Sequence, residues 1–134
     1  QPKQKPPKEA ITLADNPSKH VEKKTMDEIL DSFQLEKTEF GSLENYMKTN
    51  VEELQPNSEY LSYQSNESAL YTKANAALHY VNYFENEIAY KGLTDEFKEW
   101  QLIAFHVVTE RDNEKLEKLM NEFESKLYDL ASHF

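Results

Sequence analysis

Residues 67–91, with the sequence ESALYTKANAALHYVNYFENEIAYK, decide the fold class of this chain. Apolar side chains recur there three and four positions apart, which is the spacing of one face of an α-helix. Gly92 follows this stretch and suits the position just after a helix, where the backbone often takes a left-handed conformation. The sequence therefore predicts one long helix from Glu67 to Lys91. Its predicted buried face consists of Ala69, Leu70, Ala74, Ala77, Leu78, Val81, Phe84 and Ile88.

Two further helices are predicted after Gly92. Thr94 suits the N-cap of the first, because a threonine hydroxyl accepts a hydrogen bond from a free amide of the first turn. Apolar residues cover most of the circumference of that helix, which is typical of an element at the centre of a fold. Asp112 or Asn113 is expected to cap the last helix, whose apolar residues follow a nearly heptad spacing from Leu116 to Phe134.

Helices are also predicted before residue 56. Thr25-Met26-Asp27-Glu28 forms a capping box, with a hydroxyl at the N-cap and a glutamate three residues later. The helix that it starts reaches Gly41, which either ends it or bends it. Ser42 is expected to cap a second segment that stops before Pro56. Residues 55–65 allow either a short helix or an ordered loop.

These elements predict an all-α fold. The links after residue 66 are short, and short links make neighbouring helices antiparallel. We therefore expect residues 25–134 to form an antiparallel bundle of four to five helices. Only 2 glycines are present, which also favours helices because β-turns and bulges commonly need glycine. The absence of cysteine excludes disulfides and thiolate metal sites.

Residues 1–24 are predicted to be a flexible linker, a disordered tail in front of the bundle. Four prolines, at positions 2, 6, 7 and 17, remove amide donors and disfavour helix. Six lysines against three acids give this segment a net charge of +3, whereas 9 basic and 22 acidic side chains give the rest of the chain −13. Because phosphate is repelled by so acidic a domain, nucleic acid is not an expected partner.

No apolar stretch has the length needed to span a bilayer. The longest candidate, Leu102–Val108, is far shorter than the roughly 18–20 residues that a spanning helix needs. No transmembrane segment is therefore expected.

Motifs that carry catalysis or bind cofactors are missing from the sequence. It contains no G-x-S-x-G elbow, no glycine-rich phosphate loop, no H-E-x-x-H and no EF-hand loop. His106 and Glu110 are four positions apart, but a bundle metal site needs a matching set on another helix. We interpret His106 as a partly buried side chain with a hydrogen-bonded ring. The sequence predicts a non-enzymatic protein with no catalytic residue, metal or cofactor, and an enzyme with polar groups inside the bundle is the alternative.

Tyrosine is the most unevenly distributed residue type, because six of 8 tyrosines fall within residues 60–90. Tyr83 and Tyr90 are seven positions apart and lie on nearly one helix face, with Tyr80 on the adjoining flank. Exposed tyrosine is enriched in binding surfaces, since it offers contact area at a low entropy cost. Tyr80, Tyr83, Tyr90 and the single tryptophan, Trp100, are the candidate binding residues. The alternative is that the tyrosines seal the edge of the core and that Trp100 lies inside it.

The chain resembles the mature part of an exported lipoprotein of a low-GC Gram-positive bacterium, in composition and arrangement rather than in any motif. It has fourteen lysines, one arginine and ten asparagines, and a Lys/Pro-rich stretch precedes an acidic helical domain. The resemblance implies a lipidated cysteine upstream of Gln1 and a tether on the extracellular side. Together with the linker and the tyrosine cluster, the start at Gln1 rather than Met leads us to expect a surface-tethered binding module for an unknown protein or cell-envelope component. The alternative is a cytoplasmic interaction or regulatory protein, with the Leu116–Phe134 seam as a homodimer interface.

Overall fold

The computed structural model of this chain describes residues 40–134. The predicted linker, residues 1–24, and the predicted helix that begins at Thr25 lie outside the described residues. Within residues 40–134 the chain forms six helices and no strand, which confirms the predicted all-α fold. The helices are α1 (Leu43–Glu53), α2 (Glu59–Ser62), α3 (Asn66–Tyr83), α4 (Glu85–Tyr90), α5 (Thr94–Thr109) and α6 (Asn113–Ala131).

Gly41 and Ser42 set the start of α1. Gly41 has a φ of 75°, a left-handed conformation that glycine adopts without steric cost, so α1 does not extend back through it. The Ser42 hydroxyl accepts a hydrogen bond of 3.1 Å from the N–H of Asn45, as expected of an N-cap. The predicted boundary at Ser42 is therefore confirmed.

The ambiguous segment 55–65 contains one short helix, α2. Ser58 caps it by accepting a 3.1 Å hydrogen bond from the N–H of Leu61. Ser65 then caps α3 through a 3.0 Å hydrogen bond from the N–H of Ser68. None of the residues of α2 is buried, so this helix lies on the outside of the bundle.

The single helix predicted from Glu67 to Lys91 is divided at Phe84, and in this respect the prediction was wrong. The φ and ψ of Phe84 are −96° and 20°, whereas a regular helix has values near −63° and −42°. Its ring is only 3% exposed and lies 5.8 Å from the ring of Tyr46, between centroids. Because the ring is buried at this bend, we attribute the distortion to its packing, which helical periodicity does not reveal.

Gly92 ends α4 as predicted, but the N-cap predicted at Thr94 was wrong. The N–H of Gly92 donates to Ala89 O and the N–H of Leu93 donates to Ile88 O, which together form a Schellman motif. Leu93 is 7% exposed and is itself the residue before α5, where no side chain caps the helix. The buried Leu93 thus occupies the N-cap position in place of a residue with a capping hydroxyl, and Thr94 becomes the first residue of α5.

The last helix, α6, begins as predicted. The carboxylate of Asp112 accepts a 2.9 Å hydrogen bond from the N–H of Lys115. Its apolar seam, however, faces the rest of the bundle, since Met120, Phe123, Leu127 and Leu130 are all buried within the chain. Of the seam on which a homodimer was predicted, these four residues are therefore covered, whereas Leu116, Leu119 and Phe134 are partly exposed.

The contacts of α5 show that it runs antiparallel to α6. The ring of Trp100 stacks on Phe123 with 5.0 Å between centroids, and Lys126 Nζ lies 3.1 Å from Glu99 Oε1. Residue numbers thus rise along one helix as they fall along the other. α5 also packs against α3, and this central position was predicted from its apolar circumference. Its outermost apolar side chain, Leu102, is 49% exposed.

A buried glutamine of α5 links α5 to α3 by hydrogen bonds. Gln101 is 6% exposed, and its Nε2 donates to Leu78 O at 2.7 Å and to Asn82 Oδ1 at 3.0 Å. The apolar core around these bonds fits the predicted stripe of α3. Its largest fully buried side chains are Trp100, Phe97, Phe123, Leu43, Met47, Leu78, Leu127 and Val107.

Candidate functional site

Tyr80 and Tyr83 belong to one aromatic cluster at the C-terminal end of α3. The ring of Tyr80 lies 5.4 Å from Phe40 and 4.7 Å from Tyr46, between centroids. Tyr83 makes an edge contact of 4.9 Å with Phe84 and is 49% exposed. The cluster therefore runs from the buried core to solvent, and Tyr83 is its exposed end.

Tyr46 anchors this cluster in the core. It is 2% exposed, and burial raises the pKa of its hydroxyl above the usual range because a phenolate would lose its hydration. A hydrogen bond with Asn50 lowers the pKa in part, and the nearby Tyr80 raises it. The sequence placed Tyr46 on the apolar face of its helix without indicating this role.

Tyr90 lies on α4, and its side chain is 92% exposed. Ile88 is the one buried residue of α4, so this helix presents most of its surface to solvent. Beside it lies an open groove of ≈ 320 Å³ between the start of α1 and the last residue, Phe134. We call this the α4 groove. It is lined by Ser42, Leu43, Glu44, Asn86, Glu87, Tyr90, Lys91 and Phe134.

Two contacts hold the walls of the α4 groove together. Glu87 Oε1 accepts a 3.2 Å hydrogen bond from the N–H of Leu43, the first residue of α1. A carboxylate is favoured there because the free amides at a helix start carry partial positive charge. Lys91 Nζ lies 4.8 Å from the centroid of the Phe134 ring, which is a cation–π contact. Among residues 40–134, no carboxylate comes within salt-bridge distance of Lys91.

Glu44 brings a second carboxylate to the groove. Lys48 Nζ lies 2.9 Å from Glu44 Oε2 in a pair whose side chains are both more than half exposed. The hydrogen bond and the charge of Lys48 lower the pKa of Glu44, and the charge of Lys91 lowers it further, against a small effect of burial. The lining of the groove thus contains two carboxylates, Glu44 and Glu87, and one ammonium, Lys91.

A smaller cavity of ≈ 200 Å³ lies on the other side of α4, against the start of α5. Asn86 lines both this cavity and the α4 groove. The helix α4 is therefore a narrow ridge between two concave surfaces. The cavity is lined by Val81, Glu85, Asn86, Ile88, Ala89, Thr94, Phe97 and Lys98.

Trp100 does not belong to this surface. It is 1% exposed, its Nε1 donates a 3.2 Å hydrogen bond to Phe123 O, and its ring stacks on the Phe123 ring. Of the four candidate binding residues, the structure brings Tyr80 and Tyr83 together and places Tyr90 in the α4 groove. Trp100 is part of the core, the alternative that the sequence left open, so it offers no platform to a ligand.

A buried charge that the sequence analysis did not predict lies in the N-terminal half of α3, away from the aromatic cluster. Lys73 is 7% exposed, and its Nζ lies 2.6 Å from Glu53 Oε1, 3.0 Å from Asn50 Oδ1 and 4.3 Å from the centroid of the Tyr60 ring. Burial lowers the pKa of Lys73, and the bond and charge of Glu53 oppose that effect. The available signal was a lysine lying within the apolar stripe of α3. This charge joins α1, α2 and α3.

The histidine interpreted as partly buried, His106, is exposed. Its position on the outer face of α5 separates it from the core. In the described part of the chain, no group of three or more His, Asp or Glu side chains is arranged to hold a metal ion.

No protein-family model, curated protein or solved structure matches this chain. Within residues 40–134, none of the helices combines the length and the apolar character that crossing a membrane requires.

Proposed function

We propose that this chain is a non-enzymatic binding module that holds a partner in the α4 groove. The observation that carries the proposal is Tyr90, an aromatic side chain 92% exposed at the rim of a groove of ≈ 320 Å³. Large aromatic side chains at the edge of a concave surface are typical of protein interfaces. The groove is bordered by hydrogen-bonding groups of Asn86 and by carboxylates, which would orient a bound chain.

The helix α4 supports this proposal through its composition. A helix whose function is only structural buries a continuous apolar stripe. α4 buries Ile88 alone, and its exposed surface consists of the polar residues 85–87 together with Ala89 and Tyr90. The Glu87 bond to α1 and the Schellman motif at Gly92 fix this short helix in place. A fixed surface binds with a smaller loss of entropy than a mobile one.

We further propose that the module is exported and tethered at the surface of a bacterial cell by the Lys/Pro-rich residues 1–24. Support for this location comes from the composition of the chain and the order of a basic linker and an acidic domain. Treating intact producing cells with a protease should remove the protein, whereas a cytoplasmic marker should survive. Incorporation of labelled palmitate would identify the lipid anchor. Protection from the protease in intact cells would favour the cytoplasmic alternative.

Binding through the groove is tested by selecting peptides from a random library displayed on phage. Wild-type protein is the bait, and the selected peptides are then measured against Tyr90→Ala and Tyr63→Ala. Tyr63 is a matched control because it is also an exposed tyrosine, at 79%, outside the α4 groove. We expect peptides whose affinity falls about tenfold with Tyr90→Ala, as for an interface aromatic, and is unchanged with Tyr63→Ala. Peptides that do not distinguish the two variants would contradict the proposal.

A further inference from the structure

We infer that the α4 groove takes a basic segment of a partner protein, with an arginine or lysine side chain placed over the Phe134 ring. This inference rests on the proposed function and names the chemistry of the ligand. Its basis is the contact between Lys91 and Phe134, in which the protein already holds an ammonium group 4.8 Å from the ring centroid. The ring face attracts cations through its quadrupole, so it accepts a partner's cation by the same interaction.

Lys91 is the internal occupant of this position. It is an exposed side chain at the C-cap of α4, on a flexible stem, and in residues 40–134 no salt bridge holds it over the ring. An exposed cation–π contact contributes little, so an incoming cation can displace it. When Lys91 moves away, the ring remains and the charged groups of the lining are the carboxylates of Glu44 and Glu87.

The charge of the bundle favours the same class of partner. Residues 40–134 contain eight basic and seventeen acidic side chains, a net charge of −9. Such a surface attracts basic segments and raises their rate of encounter. The exposed pair of Glu44 with Lys48 does not prevent this, because surface ion pairs contribute little and rearrange readily. Aromatic rings and carboxylates around one opening are together complementary to a cationic side chain.

Two substitutions in the groove should change the affinity for a basic peptide in opposite directions. Lys91→Met removes the internal competitor and one positive charge, so it should raise the affinity for a basic peptide. Phe134→Leu removes the ring and should lower the affinity about two- to fivefold, the range that an exposed cation–π contact implies. Lys118→Met is the matched control for charge, because Lys118 is an exposed lysine outside the groove. Lys91→Met should therefore raise the affinity more than Lys118→Met does.

The experiment is a titration of ¹⁵N-labelled protein, residues 1–134, with end-blocked hexa-arginine, in which binding is followed by amide chemical shifts. Hexa-citrulline, which has nearly the same shape without the charge, is the control ligand. With hexa-arginine we expect saturable chemical-shift changes concentrated at four residues of the groove, Glu87, Tyr90, Lys91 and Phe134. Hexa-citrulline should bind more weakly. Affinity for hexa-arginine should be higher for Lys91→Met than for wild type and lower for Phe134→Leu. Raising the salt concentration should weaken the binding.

Three results would overturn the inference. Chemical-shift changes spread over the whole acidic surface would mean that hexa-arginine is attracted without a specific site. Equal affinity for hexa-citrulline would mean that the charge of the ligand is not recognised. Weaker binding by Lys91→Met would mean that Lys91 does not compete with the ligand for the ring. These results would not by themselves refute the proposed function, binding of a partner in the α4 groove. If library peptides without basic residues bind in a Tyr90-dependent way, the groove is still the binding site and only its preference for cations is refuted.

Discussion

Tyr46 and Tyr90 have the same side chain in opposite surroundings. The first is 2% exposed and contacts the rings of Phe40, Tyr80 and Phe84, whereas the second is 92% exposed at the rim of the α4 groove. Burial of an aromatic ring stabilises the fold, and exposure of one leaves contact area free for a partner. The two tyrosines therefore separate residues that hold the bundle together from residues proposed to bind.

The buried hydroxyl of Tyr46 predicts a loss of stability in alkali. Because its pKa is raised in the folded protein, the unfolded chain releases this proton first, and stability present below the ordinary pKa of 10.0 is lost as pH rises above it. This hydroxyl alone should contribute a fall in the free energy of unfolding of about 1.4 kcal/mol per pH unit above that value. Urea unfolding at a series of pH values measures this slope. Tyr46→Phe should have a smaller slope than wild type, and the exposed-site control Tyr90→Phe should not.

Leu78 and Tyr83 give the corresponding test for packing. Leu78 is 0% exposed, so Leu78→Ala should lower the free energy of unfolding by about 2–5 kcal/mol. Tyr83 is 49% exposed, and Tyr83→Ala should lower it by much less. Thermal or denaturant unfolding of the two variants checks the difference. Equal losses would mean that the face of α3 assigned to the core is wrong.

At the scale of elements, the ends of the helices are set by local backbone and capping chemistry. Ser42, Ser58, Ser65 and Asp112 each accept a hydrogen bond from an amide of the first turn. Each of these caps depends on residues no more than three positions apart, which is why the sequence indicated most of the helix starts. The junction of α4 and α5 differs, because a buried leucine rather than a hydroxyl occupies the cap position.

The Schellman motif predicts how substitutions of Gly92 change the stability of the protein. Its φ is 74°, and a Cβ at this position would meet nothing within 4 Å, so the effect of a substitution is conformational rather than steric. Gly92→Ala should destabilise the protein by about 1–2 kcal/mol, the cost of a left-handed alanine. Gly92→Asn should destabilise it less, since asparagine tolerates this conformation better. Denaturant midpoints measured side by side provide the comparison.

The caps of α5 and α6 are a matched pair. Asp112→Ala removes the 2.9 Å hydrogen bond to the N–H of Lys115 and should lower the free energy of unfolding by about 0.5–2 kcal/mol. Thr94→Ala removes a hydroxyl that caps nothing, because the N-cap of α5 is Leu93. It should change stability by a few tenths of a kcal/mol at most. A larger loss at Thr94 than at Asp112 would contradict the cap assignment.

At the scale of the whole molecule, the fold was more predictable than the candidate site. Periodicity indicated the helices and most of their buried faces, and the concentration of tyrosines indicated the region of α3 and α4 as a candidate binding surface. The bend at Phe84, by contrast, accompanies contact with a ring on α1. The walls of the groove are joined by the hydrogen bond between Leu43 and Glu87, which are 44 positions apart, and by the cation–π contact between Lys91 and Phe134. Contacts between distant parts of the chain leave no periodic trace in the sequence.

Lys73 illustrates the same difference between local and distant information. Its position within the apolar stripe of α3 is visible in the sequence, but its partners come from α1 and α2. A buried lysine needs such partners because burial of an unpaired charge is strongly unfavourable. The sequence therefore indicates that a partner exists without naming it.

Binding through the α4 groove is tested most directly by photo-crosslinking in the cells that produce the protein. A benzophenone amino acid replaces Tyr90 in one variant and Tyr63 in another, since both side chains are exposed and only Tyr90 borders the groove. Irradiation should yield one discrete adduct from position 90 and none from position 63. Adducts from position 63 without any from position 90 would contradict the assignment of the groove as the binding site.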